Sequence, residues 1–188
     1  MALQRLTSDL VYRWYLASPL AFADWTNPTT AELNANPDND PSGLIYNITC
    51  AVSTDGSQFD LDDPTLDESL TFCQESGDSA VQSRSATIAI QFQEAKERWL
   101  DGSSTDAADG FNTATLTKSL LMWRGIEYFA ILSVGKDPDA PFAVGDRIKM
   151  AEVATDWATP VLGTGANAMW LQTFASRSRL AWNIPLQS

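Results

Sequence analysis

The chain contains no histidine. That absence removes the usual serine or cysteine triad, a proton shuttle working near neutral pH and most zinc sites, so only carboxylate, lysine or tyrosine chemistry is left for catalysis. Cysteine is almost missing too. Cys50 and Cys73 are the whole supply; both fall in segments that read as strands, and a buried reduced pair is expected, with a disulfide as the alternative. No run approaches the roughly 18 apolar residues of a membrane helix. Arg5 and Asp9 stand where a signal peptide would need its apolar core, so a soluble chain with no membrane partner is expected. The most local absence is of positive charge. No lysine or arginine occurs between Arg13 and Arg84, while twelve Asp or Glu residues fall between Asp24 and Asp78.

What is present fits one compact domain spanning residues 1–188. With 188 residues and 44% hydrophobic content, a chain of this size can bury about 70% of its unfolded surface. The formal charge of −12, from 24 acidic and 12 basic residues, argues against nonspecific binding to nucleic acid or anionic membrane, both of which need a basic surface.

Periodicity points mainly to strands. Val11, Tyr12, Trp14, Tyr15 and Leu16 crowd around Arg13 as in a strand with contacts on both sides. Residues 27–43 collect three prolines and four asparagines and read as an arm without repeating structure, which must pack on something to be ordered. Together with the strand, this N-terminal part covers about residues 10–43. Residues 45–53 alternate around Ile48, Cys50 and Val52 as one half-buried strand.

After the Asp55-Gly56 turn come Asp60, Asp62 and Asp63, then a row of Leu66, Glu68, Leu70 and Phe72, with a further turn at residues 75–78. Residues 86–93 alternate cleanly. Residues 94–100 switch to helix formers, and Asn112 could cap a second helix ending before Gly125, although Thr113, Thr115 and Thr117 leave a strand open. Residues 126–134 and 146–153 read as a hairpin across a proline-rich turn at 136–141. The longest alternation closes the chain: Trp170, Phe174, Leu180, Trp182, Ile184 and Leu186 share one parity, Arg177, Arg179, Ala181 and Asn183 the other, which predicts a long strand with one buried face. The expected class is mainly β, a β-sandwich or barrel with one or two flanking α-helices.

Candidate chemistry finds little support. Asp38 to Gly43 imitates the D-x-D-x-S-G opening of a calcium loop, but the position for a bidentate glutamate is Thr49. Asp60, Asp62 and Asp63 could act as acid and base, as could Glu68, but Pro64 and polar neighbours place them on an exposed surface rather than in a cleft. Gly163-Thr164-Gly165 lacks the rest of a dinucleotide fingerprint. Seven tryptophans allow a sugar platform, but Trp14, Trp170 and Trp182 sit in alternating segments suited to core packing or subunit contact. No metal, cofactor or catalytic residue is expected. The acidic residues Asp55, Asp60, Asp62, Asp63, Asp67 and Glu68 are candidates for an electrostatic or interface role. Trp14, Tyr15, Arg177 and Arg179 are candidates for subunit contacts.

Three stretches in order resemble the major tail proteins that form the tail tube of long, noncontractile-tailed bacteriophages. They are FDLDDPTLDESLTF at 59–72 followed by SATIAIQF at 85–92; GIEYFAIL at 125–132 followed by FAVGDRIKM at 142–150; and the terminal strand through Phe174 and Ile184. The resemblance implies a tail-tube-like β-sandwich flanked by a helix, six copies to a ring, neighbouring strands joined in a continuous barrel, and rings stacked through loops. It implies a virion structural protein that lets DNA pass without holding it, assembled with itself and with tape measure, tail terminator and tail tip proteins. Under it the acidic run becomes a loop between rings or near the lumen. A carbohydrate-binding domain of a tail tip or neck is the alternative, and an acidic hydrolase the third reading.

Overall fold

In the computed structural model, the residues described are 12–62, 65–69, 78–83, 86–93, 111–135, 140–161 and 169–188. The protein is mainly β, with one large antiparallel sheet and two short helices. The strands are β1 (Tyr12–Ala17), β2 (Ile45–Asn47), β3 (Gln58–Leu61), β4 (Thr65–Ser69), β5 (Asp78–Ser83), β6 (Ala86–Gln93), β7 (Glu127–Val134), β8 (Arg147–Thr155), β9 (Thr159–Val161) and β10 (Met169–Pro185). The helices are α1 (Thr30–Leu33) and α2 (Phe111–Leu121). The large sheet runs β2-β1-β7-β8-β10-β6-β3, with β9 on β10, and β4 and β5 form a separate pair.

The sheet curls around an apolar centre. Trp14 on β1 meets Phe59 on β3 with ring centroids 5.9 Å apart, although β1 and β3 lie near opposite ends of the sheet order, and Phe59 meets Trp182 on β10 at 5.9 Å. A bridge of Val52 with Phe92, and a 2.7 Å hydrogen bond from Ser53 N–H to the Gln91 carbonyl, tie the segment after β2 back to β6. The curl thereby closes at one end into a barrel-like circuit. Helix α2 packs against both sides of this seam, β6 and the 3-10 turn Thr49–Ala51. The Tyr128 hydroxyl donates to the Leu120 carbonyl at 3.3 Å, and burial pushes this phenol up to about 12.

A second apolar cluster lies on the opposite face of β1, β7 and β8, built on Tyr15, Phe129, Ile131, Ile148 and Met150. The arm covers it. Phe22 meets Phe129 edge-on at 5.6 Å, Trp25 stacks on Phe129 at 6.3 Å, and Leu33 of α1 is buried with them. Thr29 caps α1 through a capping box with Glu32, a local structure that the 27–43 composition concealed. The arm is fastened by hydrogen bonds as well: Thr30 N–H donates to Gln187 O at 3.0 Å, and the Asn34 amide exchanges bonds of 3.0 and 2.9 Å with the Phe142 backbone.

The carboxylate of Glu32 holds this arm and is held by it. Partial burial would raise its pKa, but hydrogen bonds from Ala23 N–H, Thr29 N–H and the Thr29 hydroxyl outweigh that and lower it below the ordinary 4.5. A depressed carboxylate contributes stability above its unfolded pKa and loses it as pH falls through the folded value. The arm is therefore expected to loosen only below pH 4.5. Tryptophan fluorescence of Trp25, read by difference from a Trp25→Phe variant, checks this, and a Glu32→Gln chain should lack the transition.

Several expectations need correction. Residues 45–53 are not one strand: β2 stops at Asn47, and Thr49–Ala51 is a 3-10 turn. The Thr49 hydroxyl accepts the Trp14 N–H at 2.9 Å, which pulls the chain out of its extended path. Ile48 and Ala51, three apart, are buried, and Cys50 is exposed rather than buried. Cys73, the turn residues 75–77 and 136–139, and the 94–100 helix lie outside the described residues. Asn112 lies inside α2 rather than capping it. The terminal strand forms as expected but buries both faces. Register shifts between Ser176 and Leu180 and between Ala181 and Ile184, with Asn183 at φ 56°, move Ala181 and Ile184 onto the arm-side cluster while Leu180 and Trp182 pack on the central one.

Candidate assembly surface

Among the described residues, the acidic run falls on a turn and on strands β3, β4 and β5. Asp55 is exposed in the turn whose Gly56 has φ 82°, and its N–H donates to Ser53 Oγ at 3.2 Å. Asp60 lies exposed on β3 opposite Thr87, and the Asp62 carboxylate accepts the Thr87 hydroxyl at 2.6 Å. Asp67 and Glu68 lie on β4, opposite Ala80 and Ser79 of β5. Asp63 lies outside the described residues. Strand β3 thus pairs with β6 in the large sheet, and β4 pairs with β5 in a sheet of its own.

The other candidate residues separate into core and surface. Trp14 and Tyr15, 6% and 7% exposed, pack inside the subunit, one in each cluster. Arg177 and Arg179 keep about half of their side chains exposed (53% and 50%), beside Glu127 at 3.5 Å and Glu152 at 3.6 Å. Trp170 and Trp182 lie partly buried against the central cluster, and Lys149 sits 4.0 Å above the Trp182 ring.

Two exposed tryptophans were not singled out by alternation, because neither lies in a strand. Trp123 follows α2 and Trp157 follows β8, with 64% and 61% of their surface exposed. The buried Thr155 holds the turn after α2 in place: its hydroxyl donates to Trp123 O at 2.5 Å and accepts Ile126 N–H at 2.9 Å. Arg124 and Asp156 pair between them at 3.0 Å. Leu20 and Leu44 are exposed beyond this same end of the sheet, and Tyr12, Val134 and Val144 are exposed toward the other.

Arg13 also escaped sequence reasoning. It is fully buried, its guanidinium 4.1 Å above the Phe142 ring, donating to Ala140 O at 2.7 Å and to Ser133 Oγ at 3.2 Å, while Nε has no partner.

No group of His, Cys, Asp or Glu able to hold a metal occurs among the described residues. In the calcium-like stretch, the Asp40 carboxylate accepts Ser42 N–H and Oγ, bonds that lower its pKa, and Asn39 turns to the β2 backbone. Those oxygens are spent on local turns. The surface so defined is that of a β-rich structural subunit, with exposed apolar residues at both ends of the β7–β8 hairpin and exposed acidic residues at Asp55 and Asp60.

The sequence model of the family described as phage tail tube protein matches residues 1–183, and the chain belongs to that family. It is a structural component of the virion tail rather than an enzyme, of a kind that assembles with itself and with other tail proteins. No curated protein and no solved structure matches it.

Proposed function

We propose that the chain builds the tail tube as stacked rings, six copies to a ring, through which DNA passes without being held. The observation that carries the stacking is the pair of apolar ends: Leu20, Trp123 and Trp157 at one end of the β7–β8 hairpin, Tyr12, Val134 and Val144 at the other. Two different sticky surfaces on opposite ends of one subunit make head-to-tail contacts, which propagate rather than stop at a dimer. Tryptophan and arginine are the residues that anchor such contacts most often.

Charge supports the passage of DNA. Six copies at −12 each carry a formal −72, and a wall without lysine or arginine in its acidic run offers phosphates none of the contacts that make nonspecific binding tight. Repulsion at short range survives screening at physiological salt. Tape measure, tail terminator and tail tip proteins are the proposed partners of the finished tube.

Electron microscopy of the purified protein, alone and with tail partners, is expected to show rings or tubes about one subunit thick. Strictly monomeric particles under every condition would overturn the reading. A sugar platform on Trp123 and Trp157 is less well supported, because Arg124 and Asp156, the charged residues next to them in the chain, already bind each other.

A further inference from the structure

The arm has its two ends at one place. Its covering part, residues 18–35, leaves the sheet at the end of β1 and returns beside the same point: Ala17 pairs with Ile45, Ser18 N–H donates to Leu44 O at 2.7 Å, and the Asn36 and Asn39 amides hold the β2 backbone at Ile45 and Asn47. Between these points the arm is braced within itself. The Glu32 carboxylate takes Ala23 N–H at 2.9 Å and caps α1 with Thr29, while Asp24 accepts bonds from Thr26 and Asn27. The arm is thus built like a lid, with a hinge at residues 17–18 and 44–45.

Away from the hinge, its described hydrogen bonds to the rest of the subunit fall at two places. One is the Asn34 exchange with the Phe142 backbone. The other is Gln187, which bridges Thr29 in parallel, accepts Thr30 N–H at 3.0 Å and donates its own N–H to Pro28 O at 3.1 Å. Gln187 is held in its turn by the buried Leu186, whose N–H donates to Asp146 O at 2.8 Å and whose carbonyl accepts Gly145 N–H at 3.1 Å. Both holds therefore end on one short stretch, residues 142–146.

Two features that assembly does not account for serve this seat. The buried Arg13 roots it in β1, with its guanidinium 4.1 Å above the Phe142 ring and a 2.7 Å bond to Ala140 O. At the end of β10, Asn183 stands at φ 56° with its carbonyl accepting the Arg147 guanidinium at 3.0 Å, and from there Ile184 and Leu186 enter the arm-side cluster and bring Gln187 to the arm. We propose that residues 184–188 are a latch: they hold residues 18–35 closed over the Phe129 face, and when their grip is lost the arm opens as one piece while the sheet stays folded. A unit with few ties to the core opens at a lower cost than the whole fold unfolds. The latch lies past residue 183, where the match to the family model ends.

The test breaks the latch from each side in the full chain. Gln187→Pro removes the N–H given to Pro28; Thr30→Pro removes the N–H given to Gln187, at the first position of α1, where proline suits the helix. Hydrogen exchange followed by mass spectrometry is expected to show the arm amides exchanging about tenfold faster in either variant, at residues 21–27 as much as beside the substitution, with β6, β7 and β8 at the rates of the unaltered chain. Acrylamide quenching of Trp25, read by difference from the same chains carrying Trp25→Phe, is expected to rise in parallel. Unchanged exchange in the arm, faster exchange confined to residues 28–35, or equal acceleration of arm and sheet each overturns the proposal.

Discussion

Phe129→Ala is expected to cost about 3–5 kcal/mol of stability, the usual range for truncating a fully buried aromatic ring. The large value follows from where the ring sits. Phe129 is on β7, at the middle of the sheet, and is the residue on which the arm is seated: Phe22 meets it edge-on and Trp25 lies over it. Truncation leaves a cavity against β7 that the neighbouring Phe22 and Leu33 cannot fill, because Phe22 follows the turn Pro19–Ala21 and Leu33 is fixed by the capped α1. What remains to hold the arm is the burial of Leu33 and polar contacts, chiefly the Asn34–Phe142 and Thr30–Gln187 bonds, each contributing about 1 kcal/mol net. Two measurements check the result. The urea midpoint should fall with the slope unchanged, and limited proteolysis should cut within residues 18–44 well before the rest of the chain. A loss under about 1 kcal/mol, with the arm still protected, would mean that the arm is not anchored through this ring.

How much of this could be read from the sequence depends on whether the signal was local. The long terminal strand, the 127–155 hairpin and β6 announce themselves by alternation, since one buried face per strand forces period two. The bulges in β10 do not, because Ala181 and Trp182 are both apolar and nothing in their order says which face each will take. The segment after Asn47 misleads for a similar reason: Ile48, Cys50 and Val52 alternate in type, and the turn is set by a hydroxyl on Thr49 reaching β1, thirty-five residues away. Burial of Arg13 depends on Phe142 and Ala140, far along the chain. At the assembly surface, the acidic run and the two arginines were visible as residue types. That the former falls on β3, β4 and β5, and that the pairing of β10 with β6 stops at Phe174, short of the latter, no local pattern encodes. Trp123 and Trp157 were hidden by lying in turns.

Removing the asparagine seal from β2 is expected to convert a silent edge into an adhesive one. The bonds Ser18 N–H to Leu44 O and Ile48 N–H to Trp14 O show the alternation of β2 against β1, and it leaves the backbone groups of Ile45 and Asn47 facing away. Asn36 and Asn39 satisfy three of these four groups with side-chain amides. Asn39 does so from φ 54°, a conformation asparagine tolerates better than most residues. Asn39→Gly keeps that backbone freely and deletes only the amide, and Asn36→Ala deletes the other. Asn36 also exchanges two exposed bonds with the Asp40 backbone, so at about 1 kcal/mol net per bond the double variant should lose roughly 3–5 kcal/mol. Stability is the smaller part of the effect. A bare strand edge recruits other chains without regard to register, so light scattering at constant concentration should rise, and electron microscopy should show irregular clumps in place of rings. Gly43→Ala supplies an independent route to the same end, because a methyl there would overlap the Asn36 amide and push it off Ile45. If all three changes lower stability yet leave scattering flat and assembly regular, the β2 edge is shielded by something other than these amides, and orderly assembly does not depend on keeping it closed.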